Sequence, residues 1–203
     1  MDGIVHRVSS TEIATISVVT EDAQDGRLHV VLDHSPVEGQ PPMARFDLEV
    51  WSYNTPILLV RFKTTNLSNS STIEDLKLYN FMDFDVGGPT SYKDDVGTYD
   101  PVSGIMAAYD DNPLCVVMVS NPKADAWEIG SPTKLRIDEE NRDLSKNLEL
   151  GPRDIATALQ WNLGSYDSGE HKTVDVVLAA ATNPEEAKAL AQKGLEMFDK
   201  KIQ

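Results

Sequence analysis

The sequence predicts an all-β fold, an antiparallel β-sandwich with a C-terminal amphipathic helix, and three observations point to it. Apolar and polar residues alternate with period two along most of the 203 residues, the mark of half-buried strands. Turn-forming pairs such as Asp25-Gly26, Ser103-Gly104, Asn121-Pro122 and Ser168-Gly169 punctuate those runs at short intervals, supplying positive φ or a fixed turn φ. Only the last twenty or so residues change to the spacing of three and four that marks a helix face.

In Ala44-Arg45-Phe46-Asp47-Leu48-Glu49-Val50 the apolar residues Phe46, Leu48 and Val50 share one face and the charged residues share the other. The same reading gives strands over 12–20, 27–34, 56–65, 76–86, 104–109, 114–120, 124–129, 134–137, 155–163 and 173–180. About ten short strands imply a sandwich or barrel. Residues 37–42 hold three Gly or Pro residues and are excluded from a central strand, while the charged stretch 138–153 is long for a bare loop and is expected to hold a short helix. The terminal helix spans about 183–202, with Asn183 as its cap, Pro184 in its first turn, and Glu185 and Glu186 at the positive end of the dipole. Ala187, Leu190, Ala191, Gly194 and Phe198 form its apolar stripe, so it packs on the sandwich. No composition shift or fixed-period repeat divides the chain, and residues 1–203 are expected to form one domain.

A net charge of −15 opposes polyphosphate and anionic lipid, which require basic patches to displace counterions. Nucleic acid and membrane are therefore excluded as partners, leaving a carbohydrate, a protein, or a second copy of the chain paired at an exposed sheet edge in a homo-oligomer. Met1-Asp2-Gly3-Ile4-Val5-His6 lacks the features of a secretion signal, so a cytoplasmic location is the expectation. Cys115, the single cysteine, sits in an apolar run and reads as a small core residue.

The residues with chemical potential concentrate between 83 and 95. Alternation over 76–86 places Leu76, Leu78, Asn80, Met82 and Phe84 on one face and Tyr79, Phe81, Asp83 and Asp85 on the other. Asp83 and Asp85, about 6.5–7 Å apart along a strand, are the candidate ligands for Ca²⁺, the only cofactor the pattern admits. Either could also pair with Asp94 or Asp95 at the carboxylate separation used in glycoside hydrolysis. The four histidines show no metal spacing and read as surface or strand-edge residues, and no nucleophile elbow or phosphate loop is present. Trp51, Trp127 and Tyr92 complete the candidate ligand-binding set, because aromatic faces stack on sugar rings. Trp161, alternating with Leu159 and Leu163, reads as core.

The stretch 155–164, then Ser168-Gly169-Glu170 before Val174-Asp175-Val176-Val177-Leu178-Ala179-Ala180, then Asn183-Pro184-Glu185-Glu186-Ala187 form a distinctive ending. Together with Val60-Arg61-Phe62-Lys63-Thr64-Thr65-Asn66 and the strand 76–85, it resembles the β-supersandwich domains that accompany glycoside hydrolases of the glucodextranase and glucoamylase type, related in fold to galactose mutarotase. The resemblance implies a supersandwich and carbohydrate affinity. It carries over no catalytic residue, since the histidines and glutamate of the mutarotases have no counterpart motif here. The expected function is a non-catalytic carbohydrate-binding or protein-interaction module; the alternatives are a sugar-active epimerase or hydrolase using Asp83, Asp85, Asp94 or Asp95, and a structural Ca²⁺-binding sandwich.

Overall fold

Gly26 adopts φ 74° and turns the chain between β1 (Ile16–Gln24) and β2 (Arg27–His34), with Gln24 opposite Arg27. A residue with a Cβ there would meet the Ser52 carbonyl oxygen at 2.5 Å, so the turn demands glycine for both space and φ. The computed structural model describes residues 16–88, 90–111, 113–133, 135 and 143–201. The remaining strands are β3 (Ala44–Ser52), β4 (Ile57–Asn66), β5 (Ile73–Asp83), β6 (Val96–Asp100), β7 (Ile105–Tyr109), β8 (Cys115–Asn121), β9 (Ala126–Gly130), β10 (Glu149–Leu150), β11 (Ala156–Tyr166) and β12 (His171–Ala181). One helix follows, α1 (Pro184–Lys201).

All described pairings are antiparallel and form two sheets, one in the order β1-β2-β3-β4-β12-β8-β7-β6-β10 and the other in the order β5-β11-β9. Alternation decides what lies between them. Val60, Met106, Met118, Val174 and Val176 of the large sheet pack against Leu78, Leu159, Trp161 and Ile129 of the small one. Their chain neighbours Ile57, Leu59, Val117, Val177 and Ala179 point the other way and meet Ala187, Ala191 and Phe198 of α1. The centre of the large sheet is thus apolar on both faces, which is why β8 and β12 read as nearly unbroken hydrophobic runs.

The helix seats closely because Gly194 has no side chain: a Cβ there would fall 2.4 Å from Val177 Cγ1. Its start is capped as expected, with Glu186 N–H donating to Asn183 Oδ1 at 2.8 Å and Asn183 Nδ2 donating to Glu186 Oε2 at 3.2 Å. Beyond the helix the large sheet turns polar. Arg61 forms a two-pronged pair with Asp175 (2.6 and 2.8 Å) while its guanidinium lies 5.1 Å from the Phe198 ring centre.

Several expectations change. β6 escapes the alternation rule because Gly97 stands where an apolar residue would alternate. Ile129 and Ile155 pack into that space, and a Cβ would lie 2.6 Å from Ile129 Cγ2. β5 starts earlier, at Ile73, and ends at Asp83 rather than Val86, because Gly88 N–H closes a turn on the Asp85 carbonyl (3.0 Å) with φ 78° at Gly87 and 96° at Gly88. The described part of 138–153 holds the two-residue strand β10 and otherwise irregular chain instead of a helix. The rest of that stretch, residues 12–15 of the first expected strand and the segment at Met1 lie outside the described residues. So do 134, 136 and 137 of the expected strand over 134–137, and Leu135 belongs to no strand. His34, expected at the surface or a strand edge, is buried at the end of β2, while His29 is half-buried beside Asp47 (3.3 Å). Cys115 and Trp161 are core residues as expected, each 1% exposed. Among the described residues no helix is long and apolar enough to cross a membrane.

Candidate functional site

The end of β5 delivers Asp83 to the outer face of the small sheet, and the chain then leaves the strand through Asp85. Pairing with β11 sets Ala156 opposite Asp83, which places Asp154, two residues before Ala156, beside both. Carboxylate oxygens of Asp83, Asp85 and Asp154 lie within 4.8 Å of one another, with Asp83 and Asp85 exposed and Asp154 half-buried. Partial burial, followed by the neighbouring charges of Asp85 and Asp154, raises the carboxyl pKa of Asp83. Three like charges at that separation repel, and a cation or a set of hydrogen-bond donors relieves them.

Asp94 and Asp95, adjacent in sequence, part company. Asp94 is exposed, whereas Asp95 is fully buried at the start of the segment leading into β6. Asp95 Oδ2 accepts a hydrogen bond from Val86 N–H at 3.4 Å, and Oδ1 has no hydrogen-bond partner. Burial pushes this carboxyl up to about 6; the Val86 amide opposes the shift and the charges of Asp110, Asp85 and Asp94 add to it. The Asp95 carbonyl accepts from Arg153 N–H (3.0 Å), and Gly151 passes so close that a Cβ would lie 2.4 Å from that oxygen. Asp95 therefore ties the turn after β5 to the segment carrying Asp154.

The three aromatic candidates are scattered. Trp51 meets Phe198 edge to face at 5.9 Å in the helix–sheet contact. Trp127 stacks on Tyr99 at 4.0 Å and donates from Nε1 to the Asn147 carbonyl (2.9 Å). Tyr92 is half-buried with the Lys93 ammonium 5.7 Å from its ring centre. None of the three joins the Asp83 group in a described contact; the rings that share its strand face are Tyr79 and Phe81. These stack with centres 6.4 Å apart and planes 18° from parallel, and Phe81 is 41% exposed. At the other end of the strand lies a shallow pocket of about 390 Å³ lined by Asp75, Leu76, Lys77, Asp143, Asn162 and Gly164. Lys77 Nζ and Gln160 Nε2 both donate to Asp143 Oδ1, at 3.0 and 2.5 Å, and these two bonds hold the Asp143 carboxyl below its usual range. Period-two alternation already aligns Tyr79 and Phe81 with Asp83. No local pattern announces Asp154, whose neighbourhood is created by the β5–β11 register.

No family model and no curated protein matches the sequence. Among solved structures, a GalM/aldose epimerase homologue from C. elegans superposes with a TM-score of 0.55 at 8% identity, over 83% of this chain and 69% of that one. A putative aldose 1-epimerase from Escherichia coli K12 gives 0.47 at 10% identity over 82% and 68%. A putative kojibiose phosphorylase from human microbiome gives 0.47 at 11% identity over 86% of this chain and 21% of that one. The expected architecture stands: the chain has a galactose mutarotase-like β-supersandwich fold.

Proposed function

We propose that the chain is a non-catalytic carbohydrate-binding module. The observation that carries this reading is the exposed Phe81 ring, stacked on Tyr79, on the strand face that ends in the Asp83, Asp85 and Asp154 carboxylates. An accessible aromatic face beside hydrogen-bond acceptors suits the apolar and hydroxyl faces of a sugar. The fold shared with the aldose epimerase homologue supports the same ligand class. Carboxylate placement favours binding over bond cleavage. Hydrolysis needs two carboxyls flanking a glycosidic bond with opposite protonation roles, whereas these three gather within 4.8 Å of one another and the strongly shifted Asp95 is buried away from solvent. A glycan array followed by calorimetry tests the reading. Saturable binding of at least one oligosaccharide, unaltered in product on prolonged incubation, is expected; silence across the array removes it.

A second reading is favoured by the same convergence of three carboxylates: a Ca²⁺ ion that joins the β5 end to the segment before β11. A ligand held by the folded state alone raises the melting temperature by mass action. Millimolar Ca²⁺ then raises Tm relative to chelator in the protein but not in Asp83→Asn/Asp154→Asn, and equal melting with and without chelator rejects the ion.

A further inference from the structure

We propose that the outer face of β5 is an extended binding strip for an oligosaccharide bearing free amino groups, of the glucosamine type. The inference rests on the saccharide-binding reading and supplies its ligand class and location. β5 is the edge strand of the small sheet, so the strip is open along one side. On the other side it is bounded, because Ala158 and Ala156, opposite Phe81 and Asp83 on β11, are buried beneath Leu135 and Leu144. Those two leucines form a ledge against which Tyr79 also packs.

Along the ledge the outward residues follow in steps of two: Lys77 at the wall of the polar pocket, then Tyr79, Phe81 and Asp83. From Lys77 to Asp83 the strand covers about 20 Å, room for several linked rings rather than one. The middle offers the exposed Phe81 ring, its plane 18° from parallel with that of Tyr79, and an exposed aromatic ring stacks on the apolar face of a pyranose. One end offers the Asn162 amide and the Asp143 carboxylate as hydrogen-bonding partners. The other gathers Asp83, Asp85 and Asp154.

Charge selects the occupant. Uronic acids and sulfated sugars are repelled by the three carboxylates, and a neutral sugar brings hydroxyl donors but no countercharge, so it relieves their mutual repulsion only in part. An ammonium group on the ring relieves it, and the face of Phe81 beside the carboxylates attracts the same cation. Aromatic stacking and carboxylate pairing then act on one ligand, an amino sugar with an unmodified amine.

The test is isothermal titration of the full chain at pH 6.5 with a β-1,4-linked glucosamine hexamer, its fully N-acetylated counterpart and a glucose hexamer. The glucosamine hexamer is expected to bind at least about ten-fold more tightly than either control, a preference that falls with added salt. Phe81→Ala lowers its affinity about ten-fold and Phe81→Trp restores it. Asp83→Asn/Asp154→Asn removes the preference for the free amine while the urea midpoint holds or rises. Equal affinity for free and acetylated hexamers, affinity unchanged by Phe81→Ala, or no heat with the glucosamine hexamer at millimolar concentration overturns the inference. Binding of a neutral glycan that survives Phe81→Ala removes this strip and leaves the saccharide reading standing; silence to every glycan removes both.

Discussion

On the outer face of the nine-stranded sheet Arg27 meets Glu49, Arg45 meets Asp33 and Arg61 meets Asp175, each acid opposed by a base on a neighbouring strand. On the outer face of the small sheet Asp83, Asp85 and Asp154 meet one another. Both regions are made by the same device, alternation placing polar residues outward and register choosing their cross-strand neighbours. In the first, each of these three acids faces a base, so these charges serve the fold. In the second, like charges stand together beside exposed aromatic surface, an arrangement that costs the folded protein stability.

Breaking the compensated face has the largest effect where it is most buried. The Arg61 side chain is 19% exposed and that of Asp175 10%, and Arg61→Ala leaves the carboxylate without its partner and Phe198 without its cation. A loss of about 2–4 kcal/mol in urea unfolding is expected. Arg61→Met with Asp175→Leu recovers most of it, because the pair removed together leaves no stranded charge.

Next comes Asp95, the buried acid just before β6. Its folded-state carboxyl titrates at about 6, against 3.8 for an ordinary aspartate. The native state therefore holds its proton more tightly than the unfolded chain, and stability falls as pH rises from about 4 to about 6. Asp95→Asn, which keeps an acceptor for Val86 N–H, is expected to gain about 1–2 kcal/mol at pH 7 and to lose that advantage at pH 4. Urea midpoints at the two pH values check this, and a pH-independent difference between the proteins refutes it.

The smallest effects distinguish the two exposed faces by sign. Arg27→Ala removes an attraction between exposed groups, 42% and 27% open on the two side chains, and costs at most a few tenths of a kcal/mol. Asp154→Asn removes a repulsion and gains a similar amount, a few tenths of a kcal/mol. Half-molar NaCl shrinks both differences; destabilisation by Asp154→Asn in metal-free buffer would place the three carboxylates with the compensated face.

Local sequence determined much of this protein. Alternation identified most strands and assigned Tyr79, Phe81, Asp83 and Asp85 to one face, because neighbouring side chains on a strand must point to opposite sides whatever the strand pairs with. Spacing and end chemistry likewise identified α1, its Asn183 cap and its stripe from Ala187 to Phe198. Glycine hid β6, since Gly97 carries no hydrophobic signal even where it is packed. What tertiary structure alone decided is which distant residues become neighbours. The Ala156–Asp83 register brought Asp154 to the aspartates of β5, the passage of residues 151–153 against Asp95 separated that acid from its neighbour Asp94, and the helix took Trp51 into its contact through Phe198. Such proximities arise from pairing and packing between segments far apart in the chain, and alternation within a strand carries no information about them.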